Sequence, residues 1–180
     1  QDAINLYSEI LKKKKNDPQL LYLLGTAYLQ VGNIERGIEQ LKKSISIKPE
    51  NLFVHSNLGN ALKDLKCYEE AIASYDKAIE INPNYAEIHN NKGNALKNLK
   101  LYTEAIASYD KAIEINPNYF FAYNNKGNAL KNLERYDDAI ANFDKAIKIN
   151  SNYVEAHHNK GNILKDLKRY EEAIASYDKA

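Results

Sequence analysis

Between residues 86 and 119, apolar and small side chains twice recur at the spacing of a helix face. Ile88, Gly93, Ala95, Leu96 and Leu99 mark a first run, and a short break at Lys100 separates it from a second run, Tyr102 to Ile115. The pattern predicts two short helices joined by a tight turn. Asn116-Pro117 ends the second, because proline holds the residue before it away from helical geometry and has no N–H to continue the hydrogen-bond ladder. Asn84 with Glu87, and Asn152 with Glu155, have the offset of a capping box, in which each side chain satisfies a backbone amide left free where a helix begins. Helix, turn, helix, turn is the expected local order.

That order repeats. AIASYDKAIEINPNY at 71–85 recurs letter for letter at 105–119, 34 residues later. Steps of 34 align Gly25, Gly59, Gly93, Gly127 and Gly161, and equally Ile4, Ile38, Ile72, Ile106, Ile140 and Ile174. With Pro18 as the first residue of a unit, the repeats run 18–51, 52–85, 86–119 and 120–153, followed by a truncated repeat at 154–180. A partial repeat at 1–17, holding a second helix only, precedes them. Units this short bury their apolar faces only against neighbours, so all of them are expected to form one solenoid domain.

Within 52–85 the residues Leu58, Gly59, Leu62, Ala71, Tyr75, Ala78 and Pro83 form a pattern that resembles the tetratricopeptide repeat (TPR), and the resemblance covers essentially the whole chain. It implies an all-α fold, a right-handed superhelical solenoid of antiparallel helix pairs whose first helices line a concave surface. Gly59 and Ala71 are expected where paired helices cross most closely, with Ala78 making room for the next unit and Tyr75 filling the space between. In 18–51 the small positions are Gly25, Gly37 and Ser44, so size is kept although identity is not. In 120–153 the terminal proline is replaced by Ser151, and the slot this family often fills with tryptophan holds Leu21, His55, His89, Tyr123 and His157. Both departures are expected to loosen local packing.

Family geometry implies that the second, fifth, sixth, ninth, twelfth and thirteenth residues of each unit border the concave face. Asn57, Asn91, Asn125 and Asn159 fill the sixth position, and Asn60, Asn94, Asn128 and Asn162 fill the ninth, three residues on and thus on the same helix side. Each amide carries two donors and an acceptor, so such rows can pair with the backbone of an extended peptide whatever its side chains; packing and solvation are the other reading. In the first reading the groove resembles that of the TPR domain of O-linked N-acetylglucosamine transferases. Lys63, Lys97, Lys131 and Lys165 at the twelfth position either favour an acidic ligand or solvate the face, with Asp64 and Asp166 partly cancelling their field. The second position reads Phe53, Glu87, Phe121 and Glu155, so the two rings are either apolar anchors for a ligand or folded back onto neighbours such as Leu52 and Phe120. The basic clamp of chaperone-tail-binding members is missing: the fifth positions are Tyr22, Ser56, Asn90, Asn124 and His158, and the sixth offer no arginine.

Charge adds an exclusion. Lys+Arg 25 against Asp+Glu 24 leaves a net charge of +1, so no global field draws the chain to nucleic acid or to an anionic membrane. No apolar run approaches the roughly 18 residues of a membrane span. A single cysteine, Cys67, with no histidine at metal-ligand spacing argues against a disulfide scaffold or a zinc module and points to a reducing, cytoplasmic compartment. Glu69-Glu70 and Glu171-Glu172 open second helices, where acidic groups suit the helix dipole. His157 and His158, adjacent on a helix, point about 100° apart. With no phosphate loop or nucleophile elbow either, no active site, cofactor or metal is expected, and the chain is read as a non-enzyme.

The expected function is a protein–protein interaction module that takes an extended peptide or a partner helix on its concave face. Two alternatives stand beside it: a self-associating structural scaffold that stacks through its repeat ends, and the substrate-targeting region of a larger enzyme such as a glycosyltransferase. Without an initiator methionine the sequence is expected to be an excerpt of a longer chain.

Overall fold

The computed structural model describes residues 2–180. They form eleven α-helices with no strand among the described residues, and they cluster into two compact units, 1–84 and 85–180. The first holds α1 (Asp2–Lys13), α2 (Pro18–Gln30), α3 (Ile34–Ile47), α4 (Leu52–Asp64) and α5 (Tyr68–Ile81). Each helix packs on the next, and α2 also touches α4, so first helices of successive repeats are neighbours. Side chains start three of these helices: Asp17, Asn33 and Asn51 accept from backbone amides in the opening turns of α2, α3 and α4. Ile4, Leu24 and Ala27 form one core cluster with Tyr7, Leu11 and Tyr28 against it. The buried Ser44 hydroxyl donates to the Pro18 carbonyl at 2.7 Å, which satisfies the polar atom at this crossing.

The second unit holds α6 (Ala86–Asn98), α7 (Tyr102–Ile115), α8 (Phe120–Asn132), α9 (Tyr136–Ile149), α10 (Val154–Asp166) and α11 (Tyr170–Tyr177). Here too each helix packs on the next, and α8 touches both α6 and α10. Leu130, Ala139, Phe143 and Ile163 form its core cluster with Ile106, Tyr136 and Ile140 packed around it. Two equivalent ion pairs join a second helix to the first helix after it: Lys126 to Asp110 at 2.5 Å, and Lys160 to Asp144 at 2.7 Å. Exposed pairs of this kind contribute little energy singly.

One contact sets the distance within every pair. A Cβ added to Gly93 would lie 2.5 Å from the Tyr109 ring, and Gly127 meets Phe143, Gly161 meets Tyr177 and Gly59 meets Tyr75 in the same way. The ring lies directly on the glycine backbone, and Tyr75, Tyr109 and Phe143 are fully buried there. In the repeat that starts at Pro18, Leu41 takes the ring's place against Gly25. The expected close crossing is thus present, with the aromatic side chain itself as the spacer.

Two local expectations change. The capping box at Asn84 and Asn152 is absent, because α6 and α10 start after Tyr85 and Tyr153, one residue later, with no side-chain cap. The loop asparagines act locally instead: Asn116 Oδ1 accepts from the Asn118 amide at 3.0 Å, and Asn150 Oδ1 from the Asn152 amide at 3.2 Å. Replacing proline by Ser151 leaves that turn intact. Nor do the histidines in the tryptophan slot loosen their loops: His157 Nε2 lies 2.9 Å from the Ser151 carbonyl, and His55 Nε2 lies 2.8 Å from that of Pro49.

The turn inside each helix pair passes through a left-handed residue. Gly32 holds it once, but Lys66, Lys100, Glu134 and Lys168 hold it elsewhere at φ between 59° and 62°. Backbone bonds close it: the Lys66 amide donates to Lys63 and the Cys67 amide to Leu62, both at 2.9 Å.

Buried phenols make stability sensitive to alkali. Burial, aided by Glu87 and by Tyr153, pushes Tyr119 up to about 12, and burial also raises Tyr109 and Tyr153 above the ordinary value. Unfolded phenols ionise near pH ~10, so these groups contribute stability that is complete below that pH and is lost as pH rises through the folded values. Helical circular dichroism is expected to collapse between about pH 10 and 12 together with a cooperative rise in phenolate absorbance. Full ionisation of all tyrosines near pH ~10 with the helix signal intact would contradict their burial.

Candidate peptide-binding face

The sixth, ninth and twelfth positions form three parallel stripes in the second unit: Asn91, Asn94 and Lys97 on α6, Asn125, Asn128 and Lys131 on α8, and Asn159, Asn162 and Lys165 on α10. Spacing of three keeps each stripe on one helix side, and the contacts of α8 with α6 and α10 bring the stripes beside one another. All nine are half-buried except Lys165, which is exposed.

Three sixth-position amides bond to the repeat before them. Asn125 Nδ2 donates to Asn90 Oδ1 at 2.9 Å and Asn159 Nδ2 to Asn124 Oδ1 at 3.0 Å, so each reaches back to the fifth position of the repeat before it. In the first unit Asn57 does the same with the Tyr22 hydroxyl at 3.3 Å. Sequence reasoning missed the part played by Asn90 and Asn124, which are buried and act as acceptors here. The recurring Asn-Asn pairs at 90–91 and 124–125 were the available signal.

At the ninth position the aromatic spacer orients the amide. Tyr109 donates its hydroxyl to Asn94 Oδ1 and Tyr177 to Asn162 Oδ1, both at 2.9 Å, and Tyr75 donates to Asn60 at 2.8 Å. With Oδ1 held, the Nδ2 groups of Asn94 and Asn162 have no partner among the described residues. In the repeat with Asn128 the ring over the glycine is Phe143, which has no hydroxyl, and the Asn128 side-chain amide has no hydrogen-bond partner among the described residues. In the first unit Asn57 and Asn60 of α4 line an open cleft with Thr26, Leu29 and Gln30 of α2.

The lysines differ from one another. Lys63 meets its neighbour Asp64 at 3.1 Å, whereas no carboxylate pairs with Lys97, Lys131 or Lys165 among the described residues. Burial holds the Lys97 ammonium below the usual lysine range.

Both second-position rings keep exposed area, 50% for Phe53 and 42% for Phe121. Phe121 lies against Phe120 at 4.1 Å, with Tyr153 at 5.6 Å and Tyr119 at 5.8 Å edge-on. Glu87 and Glu155 occupy the same position on α6 and α10, and both are exposed. Cys67 is a partly exposed residue that precedes α5. His158 rests against the Tyr177 ring. Among the described residues no helix is long and apolar enough to cross a membrane.

The model of the tetratricopeptide repeat matches 86–119, 120–153 and 154–180, a second TPR repeat model matches 59–100, and a model described as anaphase-promoting complex, cyclosome, subunit 3 matches 1–78. The chain belongs to the tetratricopeptide repeat family. Solved structures superpose on this TPR array over most of its length. MamA of Desulfovibrio magneticus RS-1 does so with a TM-score of 0.80 at 21% identity, covering 99% of this chain and 93% of its own. YrrB, described as a TPR protein with an unusual peptide-binding site, has a TM-score of 0.77 at 20% identity, covering 98% and 91%. PilF of Pseudomonas aeruginosa has a TM-score of 0.80 at 25% identity, covering 90% and 74%. No curated protein matches the sequence. The array thus stands among repeat proteins that serve as protein-interaction modules.

Proposed function

We propose that this TPR array binds an extended, acidic peptide across α6, α8 and α10. The observation that carries the reading is the one-sided chemistry of the face: Asn94 Nδ2, Asn162 Nδ2, Lys97, Lys131 and Lys165 are all donors without acceptors among the described residues. A ligand rich in backbone carbonyls and carboxylates supplies the missing acceptors. Lys97 weighs most, because a half-buried ammonium without a counter-charge bears a desolvation penalty that a ligand carboxylate offsets. The sixth-position asparagines position the first helices, and the ninth and twelfth positions meet the ligand. That YrrB is described as having a peptide-binding site supports peptide as the ligand class.

The test is an isotope-edited NMR titration with an N-acetylated peptide of alternating glutamate and serine, and with its glutamine counterpart. Shifts are expected at Asn94, Lys97, Asn128 and Lys131. Lys97→Gln should weaken binding about tenfold, the worth of a charge-assisted hydrogen bond, while leaving the fold as stable as before or slightly more so. Equal binding of the glutamine peptide, or shifts centred on α7 and α9, would sink the proposal.

A further inference from the structure

We infer that Glu87, Phe121 and Glu155 form the recognition point for one cationic side chain, an arginine or lysine, of the bound peptide; this deepens the peptide-binding reading and rests on it. The three residues share the second position of α6, α8 and α10, and α8 touches both flanking helices, so the repeat register sets the position of the exposed ring between two acidic positions on neighbouring helices. Phe120 stacks on Phe121 at 4.1 Å and covers one side of the ring, which is nevertheless 42% exposed. Tyr119 and Tyr153 flank it, enlarging the aromatic surface and fixing the ring's orientation. Neither Glu87 nor Glu155 has a basic partner among the described residues. Their field nonetheless reaches the aromatic cluster, since Glu87 raises the Tyr119 phenol and Glu155 that of Tyr153.

An aromatic face flanked by two unpaired carboxylates is complementary to a cation and not to an apolar anchor. A methylene stem lies along Phe121 and Phe120, and the charged head gains from the ring quadrupole and from both acids. Arginine fits best, because its planar guanidinium stacks on a ring while its N–H groups donate sideways. An apolar side chain would cover the ring and leave the carboxylates without a partner.

The position gives the face a direction. The second and twelfth positions are ten residues apart, which is about 15 Å along a helix and the span of about four or five extended residues. A ligand that crosses the helices obliquely therefore meets the acidic edge at Phe121 before the Lys97 and Lys131 edge, and the reversed peptide meets like charge at both.

The test uses N-acetyl-arginine methylamide, which carries no carboxylate, with the norleucine analogue as control, followed by NMR on the whole chain. Arginine should shift the resonances of Phe121, Tyr119 and Tyr153 and bind about fivefold more tightly than norleucine. Phe121→Leu keeps an apolar contact for Phe120 but removes the aromatic face, and the exposed pair Glu87→Gln with Glu155→Gln leaves the packing alone; each should lower the arginine affinity severalfold. Equal binding of norleucine, no effect of either variant, or the absence of arginine shifts would overturn the inference. If those failures leave the Lys97 response to the acidic peptide intact, the peptide-binding reading stands without this pocket. Arginine binding with no Lys97 response would preserve the pocket and remove the acidic-peptide reading.

Discussion

Tyr109→Ala is expected to destabilise the array by about 3–5 kcal/mol, the range for emptying a fully buried aromatic site. The Tyr109 ring is fully buried and lies on Gly93, so truncation opens a void between two helices whose separation the ring itself maintains. The loss also removes the hydroxyl that holds Asn94 Oδ1. Tyr109→Phe separates the two effects: it keeps the ring and should cost only about 1 kcal/mol for the hydrogen bond. The neighbouring repeat supplies the reverse experiment, because Phe143 stands in the same place over Gly127 beside an unengaged Asn128. Phe143→Tyr should stabilise by up to about 1 kcal/mol if its hydroxyl reaches Asn128 as Tyr109 reaches Asn94. Urea unfolding of the three variants decides the matter, and a loss below about 1 kcal/mol for Tyr109→Ala would show that the ring is not the spacer.

Glycine placed together at Lys66, Lys100, Glu134 and Lys168 should raise stability by about 2–4 kcal/mol. Each residue is held at a left-handed φ that costs a side-chain-bearing residue about 1–2 kcal/mol, of which the greater freedom of glycine in the unfolded chain takes back about half. The four turns are separate sites, so their increments should add, and a repeat array sums them along its length. The fold already carries this solution at Gly32. Thermal unfolding should show a stepwise rise in midpoint as the glycines accumulate; a fall with each substitution would mean that the lysine and glutamate side chains hold these turns through contacts outweighing backbone strain.

Legibility varied along the chain with the kind of physics involved. Helix runs such as Tyr102 to Ile115 were readable because apolar spacing records which side is buried, and proline after Asn116 records where a helix must stop. Gly59, Gly93 and Tyr75 were readable as a crossing because small and large residues alternate at a fixed period. Helix starts were not: Asn84 and Asn152 have the composition of caps, but their backbone amides are taken by the Oδ1 atoms of Asn82 and Asn150 and the helices start a residue later, and composition does not say which bond wins. The left-handed residues were equally hidden, since lysine and glutamate carry no mark of positive φ. On the candidate face, Asn125 and Asn94 looked equivalent as members of a ladder. The difference between them arises from their partners, Asn90 of the preceding repeat for one and Tyr109 on the second helix of the same repeat for the other, and only the packed arrangement reveals it.

The equivalent links Lys126 to Asp110 and Lys160 to Asp144 recur one repeat apart, as do the back-reaching bonds of Asn125 and Asn159. A 34-residue segment duplicated or deleted in this region would find matching partners on both of its flanks, so such an array can change length by whole units without redesigning any interface. Each unit gained would lengthen the proposed ligand track by one stripe of asparagine and lysine, so reach along a partner becomes a quantity that recombination can adjust while the chemistry of contact stays constant.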